Sequence, residues 1–434
     1  MSGIMGGLLS SYRITPTASL VMNLDATVGA MPGSNITTSA SFDGSTQYLS
    51  LTSSSAFTQI GDLTVEAWYY PTNVTGAHTL FCLGTEATDR FVVALDGTSV
   101  TSNYFGGTTV TYTSTVPINT WTHIAVVRSG TTVSVYINGT ASATTDTQSG
   151  TLGNGTLNIS ADSGGAALFA GYISNFRMTN TAVYTSNFVA PTTTLRAITG
   201  TQLLLPLAAT VFTDMSSNML TVTNTGTVAT TAAAPTLAAA TTDFTGTYAI
   251  TTTNAGATIV YNSANGGVFR KTTSLGTDSM VLGPNYVTGQ SYSVFMAYKI
   301  SATSPGRLLN TQSEAVKDWL LGAYNGNPNA FYPNFSVNLP GSGADTVWHF
   351  AWGTFNTGTS LGQLYAATSA QPTSTSFTAT NAGGGGFNQL RLFSRSSGSE
   401  VQTADIGMIR VYNGVVTLAQ VQSLYAAFKT RFGY

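Results

Sequence analysis

A retaining glycosidase needs two carboxyls held about 5 Å apart, one as nucleophile and one as acid and base. This chain has four glutamates, Glu66, Glu86, Glu314 and Glu400, scattered over 434 residues. Glu66, in the run VEAW, has no acidic residue at i+2 or i+4, so its strand presents no second carboxyl on the same face. It reads as a strand residue facing solvent. The three histidines, His78, His123 and His349, are far apart, whereas a metal site needs ligands at recognisable spacing. Asp89, Asp96, Asp146 and Asp162 fall singly in expected loops, where each suits a turn through its side-chain bond to the backbone. No Ser-His-Asp or Cys-His context occurs. The one cysteine, Cys82, lies in Leu80-Phe81-Cys82-Leu83 and reads as a small core residue. The expected catalytic and metal sets are therefore empty, and the expectation is that the protein is not an enzyme.

Composition narrows the partners. Only 7% of residues are charged, against about a quarter in ordinary proteins, and the net charge is −2. With 42% hydrophobic residues the chain can bury a core and is not a disordered polyelectrolyte. Fifteen scattered basic residues do not form the phosphate-neutralising cluster of a nucleic-acid binder. No apolar run approaches the roughly 20 residues of a membrane-crossing helix. Neither nucleic acid nor membrane is an expected partner. With a single cysteine no disulfide framework can form, so packing and sheet hydrogen bonds must supply the stability.

The elements that position these residues are strands. WTHIAVVRSGTTVSVYING, from Trp121 to Gly139, alternates with period two on both sides of a polar turn at Ser129-Gly130-Thr131. Asn138-Gly139 then supplies the positive φ angles of a tight hairpin. The pattern recurs. Trp348-His349-Phe350 echoes Trp121-Thr122-His123, YSVFMAYK echoes LTVEAWYY, Leu364-Tyr365 echoes Val135-Tyr136, and MIRVYN echoes NFRMTN. Four matches in one order at nearly one offset imply two copies of one all-β module. His123 and His349 read as equivalent positions beside the two tryptophans, with a shared structural role.

The expected organisation is an arm over 1–37, a β-sandwich over 38–207, a connecting segment over 208–240 and a second sandwich over 241–434. The Ala/Thr-rich stretch around Pro235 has little to bury and reads as a linker; the part before it suits a strand pair opening the second module. A helix is expected over 417–430. Thr417 and Gln420 form its capping box, and Leu418, Val421, Leu424, Tyr425 and Phe428 share one face, which should pack on its own domain. The arm carries Met1, Ile4, Met5, Leu8, Leu9 and Tyr12 as candidate assembly contacts, docking on a partner subunit or adding a strand to its own domain.

The succession SFDGSTQYLSL, LTVEAWYYP, TWTHIAVVRSGTTVSVYINGT, GYISNFRMTNTAVYTSNF resembles the concanavalin A-like lectin/glucanase superfamily in its laminin G-like branch. It is especially similar to versions that recur in structural proteins of tailed bacteriophages, marine cyanophages among them. The resemblance implies two antiparallel jelly-roll sandwiches. It also implies a non-enzymatic structural component on the exterior of a virion: a capsid decoration, head fibre or tail-associated protein. Other virion proteins and further copies of the chain would be its partners, with a host cell-surface glycan as external ligand. A secreted or surface lectin is the alternative. Members of this superfamily that hydrolyse glucans carry Glu-x-Asp-x-Glu on one strand, which this chain lacks. Calcium is a ligand in related modules, but no motif here supports it. Aromatic loops are the natural sugar contacts, which makes Tyr104, Phe105, Tyr324 and Asn325 the glycan-binding candidates.

Overall fold

The computed structural model describes residues 19–25 and 36–432, apart from positions 53, 60, 85–89, 105–106, 152–154, 210–211, 239–242, 248, 254–258, 263–267, 273–278, 284–290, 302–305, 312–318, 325–326, 334–336, 339–346, 368–372, 379–386, 388 and 395–398. Among these residues the chain builds four antiparallel sheets, paired into two sandwiches, and one C-terminal helix.

The first sandwich has an eight-stranded front sheet. Its strands lie in the order β11 (Thr140–Thr147), β10 (Thr132–Ile137), β9 (Thr122–Ser129), β4 (Leu63–Pro71), β13 (Ala170–Thr179), β2 (Ser39–Asp43) and β16 (Ala229–Thr231), with β14 (Thr201–Leu205) also paired to β13. The back sheet runs β15 (Val222–Thr225), β3 (Tyr48–Leu51), β12 (Leu157–Ile159), β5 (Ala77–Leu83), β6 (Phe91–Asp96), β7 (Ser99–Tyr104), β8 (Val110–Thr115). The second sandwich repeats the plan. Its front sheet runs β18 (Ile259–Asn262), β19 (Val268–Lys271), β30 (Ala404–Asn413), β21 (Tyr292–Ile300), β26 (Trp348–Asn356), β27 (Leu361–Ala367), β28 (Thr373–Thr378), with β1 (Ser19–Asp25) also on β30. Its back sheet runs β17 (Thr251–Thr253), β20 (Ser279–Leu282), β29 (Leu390–Leu392), β22 (Leu309–Thr311), β23 (Trp319–Tyr324), β24 (Asn327–Pro333), β25 (Val337–Asn338).

The four repeat matches occupy the same places in both front sheets: β10-β9-β4-β13 in one, β27-β26-β21-β30 in the other. Period two does the sorting. On β4, Leu63, Val65, Ala67 and Tyr69 enter the first core, and Thr64, Glu66, Trp68 and Tyr70 take the outer face. On β21, Val294, Met296 and Tyr298 enter the second core while Phe295 and Ala297 face out. The Asn138-Gly139 hairpin forms as read, with φ of 50° and 81°.

Three expectations change. Residues 208–240 are not a linker: β15 joins the back sheet beside β3 and β16 joins the front sheet beside β2, so both edge strands belong to the first sandwich. On β15 Val222 also packs against the first core, while β16, Ala-Thr-Thr, is held chiefly by its backbone pairing. In the 1–37 segment, β1 adds a strand within its own chain, but to the second sandwich and not to the domain that follows it in sequence. Met1, Ile4, Met5, Leu8, Leu9 and Tyr12 lie outside the described residues. The helix spans Leu418–Phe432 and has the reciprocal cap, with the Thr417 N–H donating to Gln420 Oε1 at 2.8 Å and the Gln420 N–H to Thr417 Oγ1 at 3.4 Å. Val421, Leu424, Tyr425 and Phe432 pack on the outer face of the second front sheet, whereas Leu418 is 40% exposed.

Candidate functional site

The outer face of the first front sheet is where polar chemistry gathers. Glu66 on β4, Arg177 on β13 and His123 on β9 stand side by side because their strands are neighbours, with Arg177 directly across from Glu66. Arg177 donates to Glu66 Oε1 through Nε at 2.9 Å and also through Nη2. His123 Nε2 lies 3.1 Å from Glu66 Oε2, and the Tyr184 hydroxyl donates to the same oxygen at 2.8 Å. Glu66 is therefore not the solvent-facing residue expected: it is 1% exposed, sealed beneath Tyr184 and Phe188, whose rings stack at 3.5 Å. Burial alone would raise its pKa. The His123 hydrogen bond and the Arg177 charge outweigh burial and hold the carboxyl below its usual value. A carboxylate so enclosed and neutralised does not meet a substrate; it pins the segment after β13 over the sheet.

That cover is fastened at the hairpin. The Phe188 N–H donates to the Gly139 carbonyl at 2.9 Å and the Ala141 N–H to Asn187 Oδ1 at 2.9 Å. Gly139 has φ of 81°, and a Cβ there would run into the Phe188 carbonyl.

Beyond the cover the outer face opens on three rings. Trp121, immediately before β9, Tyr70 on β4 and Tyr172 on β13 form one cross-strand row, and all three are partly exposed. Tyr70 and Tyr172 stack with centroids 5.3 Å apart, Trp121 lies 5.5 Å from Tyr70, and Trp121 to Tyr172 is 6.4 Å. Ser41 of β2 pairs with Tyr172 and extends the row with a hydroxyl. The exposed residues Thr72 and Asn119 border it, held by bonds from the Thr72 N–H to the Ala170 carbonyl at 3.0 Å and from the Asn119 N–H to the Pro71 carbonyl at 2.8 Å. A platform of amphipathic rings edged by neutral hydroxyl and amide groups is suited to the apolar C–H face of a sugar, with its hydroxyls reaching the rim.

The second sandwich shows that the fold does not require aromatics here. The same row reads Trp348, Lys299, Asp405 and Arg270. Arg270 clasps Asp405 through two bonds of 2.6 and 2.7 Å, and Trp348 is covered by Phe432 at 4.3 Å. One repeat fills the row with an ion pair and shelters its tryptophan; the other leaves three rings open.

The residues singled out from sequence lie elsewhere. Tyr104 is 3% exposed and stacks on Phe91 at 3.8 Å inside the first core, so its ring has no face to offer a ligand. Period two sends it inward at the end of β7, and desolvation pushes its phenol up. Tyr324 is partly exposed at the end of β23, with the Arg307 guanidinium 5.2 Å over its ring, on the other sandwich from the row. Phe105 and Asn325 lie outside the described residues. His123 and His349 are not equivalent: His123 pairs with Trp68 on the outer face, while His349 pairs with Tyr298, the counterpart of Tyr69, and stacks on it at 5.3 Å on the core side. Register makes Phe350 the counterpart of His123 and Phe295 that of Glu66, so the polar network belongs to the first repeat. Asp162 accepts bonds from Gly164 and Ala166 in its own turn, Asp146 lies not in a loop but near the end of β11, where it accepts from Thr147 and Gln148, and Asp89 lies outside the described residues. Among the described residues no group of three His, Cys, Asp or Glu side chains converges to hold a metal. The aromatic row was visible in the sequence only as three separated letters; nothing local said that their strands are neighbours.

Comparison with known proteins places part of the chain. Residues 43–186 match the laminin G-like family model of the concanavalin A-like lectin/glucanases superfamily. Among curated proteins no relative matches. Among solved structures, a proposed carbohydrate-binding protein from Bacteroides ovatus is 17% identical, with 45% of this chain and 60% of that one covered and a TM-score of 0.37. The chain thus spans less than two thirds of that protein. The Ruminococcus gnavus sialidase CBM40 bound to α2,3-sialyllactose is 14% identical over 29% of this chain and 80% of that one, TM-score 0.26. Mouse laminin α1 domains LG4-5 are 11% identical over 88% and 91%, TM-score 0.28. The family match over residues 43–186 and the paired antiparallel sheets agree on a concanavalin A-like fold of the laminin G-like type.

Proposed function

We propose that the chain is a non-enzymatic structural component of a tailed-phage virion whose first sandwich presents a surface for a neutral glycan. The observation that carries the binding reading is the open row Trp121–Tyr70–Tyr172, aromatic in the repeat that leaves it exposed and ionic in the repeat that covers it. Neutral sugars fit because the row's rim is hydroxyl and amide, and Asp43, nearby on β2, spends its carboxylate on the N–H groups of Ser45, Thr46 and Gln47. The non-enzymatic reading is supported by Glu66 being sealed and by Glu400 being engaged by Arg307 at 2.6 Å. The virion reading is supported by the resemblance of residues 38–207 to modules of phage structural proteins; capsid or tail subunits and further copies of the chain are the partners it implies.

Two measurements test it. The full chain on a glycan array should retain neutral glycans, and Trp121→Ala and Tyr172→Ala should each weaken the best one at least about tenfold, about 1.4 kcal/mol, without lowering the Tm. Unchanged binding in both variants would remove the row as the site. Immunogold labelling of particles should decorate their exterior; retention on the array with no label on particles would leave a secreted or surface lectin.

A further inference from the structure

We propose that the groove along residues 408–413 of β30 is a strand-acceptor slot that takes the Ser19–Asp25 strand of a second copy of this chain, linking copies by exchange. The two sandwiches are closed by equivalent strands. In the first sandwich β14 pairs with β13 through Phe176↔Leu205, Arg177↔Leu204 and Met178↔Leu203. In the second, β1 pairs with β30 through Ile409↔Leu24, Arg410↔Asn23 and Val411↔Met22. Leu203 and Leu205 are fully buried in the first core, Met22 and Leu24 in the second. The free edges of the two strands are clasped alike. The Leu204 N–H donates to Asp214 Oδ1 at 3.1 Å and the Met215 N–H returns to the Leu204 carbonyl at 2.8 Å. The Asn23 N–H donates to Asp243 Oδ2 at 2.9 Å and the Phe244 N–H returns to the Asn23 carbonyl at 2.8 Å.

The two closing strands therefore do one job, but their origins differ. β14 follows β13 directly in the chain. β1 precedes the whole first sandwich and crosses to the second, arriving through residues 26–35, which end at Ile36, buried on the first sandwich. The slot cannot be left empty at no cost: β30 would lose its partner along an edge, and the second core would lose Met22 and Leu24. Every contact that β1 makes is with residues a second copy also has, so exchange conserves all of them and changes only the path of the ten-residue tether. Swapping an identical element in this way is a low-cost route between copies. The tether sets the balance. Only ten residues separate Asp25 from Ile36, so its own strand stays at a high effective concentration; the closed monomer wins in dilute solution and exchange wins where copies are crowded, as on a surface lattice.

A mixed-copy disulfide reads this out on the full-length chain. In a Cys82→Ser background, one tagged copy carries Ser19→Cys and a differently tagged copy carries Asn413→Cys, register partners at the end of the pair. A chain with both substitutions serves as the control and should close within itself. The two single variants, incubated together at about millimolar and then oxidised, should give a disulfide-linked heterodimer whose yield rises with concentration. Closure within the control, with no heterodimer at the highest concentration, would overturn the proposal and leave β1 as an internal strand only. Neither result depends on whether the aromatic row binds a glycan.

Discussion

Replacing Glu66 by glutamine should destabilise the first sandwich far more than the change of one atom suggests. Glu66 has no side-chain exposure and Arg177 has 6%. Glutamine keeps the shape but removes the charge, and its amide nitrogen turns a donor toward a site where Arg177, His123 and Tyr184 already supply donors. Losing one partner of a buried pair typically costs about 3–5 kcal/mol because the other charge stays buried without compensation. For a sandwich of this size that is a fall in Tm of about 6–20 °C. Matched apolar replacement, Glu66→Leu with Arg177→Met, should recover most of the loss, since no charge is then stranded. The pH dependence follows. The folded-state pKa of Glu66 lies below its usual 4.5, so its contribution is complete above that value and is lost as pH falls through the folded value. Scanning calorimetry between pH 7 and 3 should show wild type losing stability in the acid range, with Glu66→Gln lacking that part of the slope. A loss under about 1 kcal/mol at pH 7, or an unchanged acid slope, would refute the account of Glu66 as the anchor of the cover.

Phe432→Ala should cost about 3–5 kcal/mol by urea unfolding, because the ring is 4% exposed and fills the space over Trp348 and Gly407; a loss below 1 kcal/mol would mean that the helix end does not seal that face. Gly171→Ala should disturb both stability and the aromatic row. Gly171 has φ of +142°, and a Cβ there would collide with the Tyr70 carbonyl. The expected result is a lower Tm together with lost array binding, and normal binding would show that the row tolerates movement of Tyr70.

Much of the architecture was legible because it rests on local pattern. Alternation on LTVEAWYY sorted Tyr69 from Tyr70, the Asn-Gly pair announced its hairpin, and Thr417 with Gln420 announced the helix start. The second copy of the Trp-containing meander located the second sandwich. In each case the residues responsible lie within a few positions of one another, and backbone geometry needs nothing further to act on them.

What the tertiary structure decided are matters of register and of which strand lies beside which. Alternation placed Glu66 and Tyr70 on one face of their strand, but that face is sealed at Glu66 and open at Tyr70 and Tyr172, because the 180–198 segment covers only one end of the sheet. His123 and His349 looked equivalent because each stands close behind a tryptophan, but the repeat offset aligns His349 with Thr122, and pairing puts the two histidines on opposite faces: a one-residue slip reverses a strand's sides. The Ala/Thr-rich segment looked like a linker because its side chains are small; its backbone hydrogen bonds to β2, which leave no mark in composition, made part of it an edge strand, while β15 before it, read as opening the second module, pairs with β3 of the first. The same holds for β1, whose partner is nearly four hundred residues away. Local order was written in residue types, and long-range pairing, which any backbone can make, was settled only when the sheets closed.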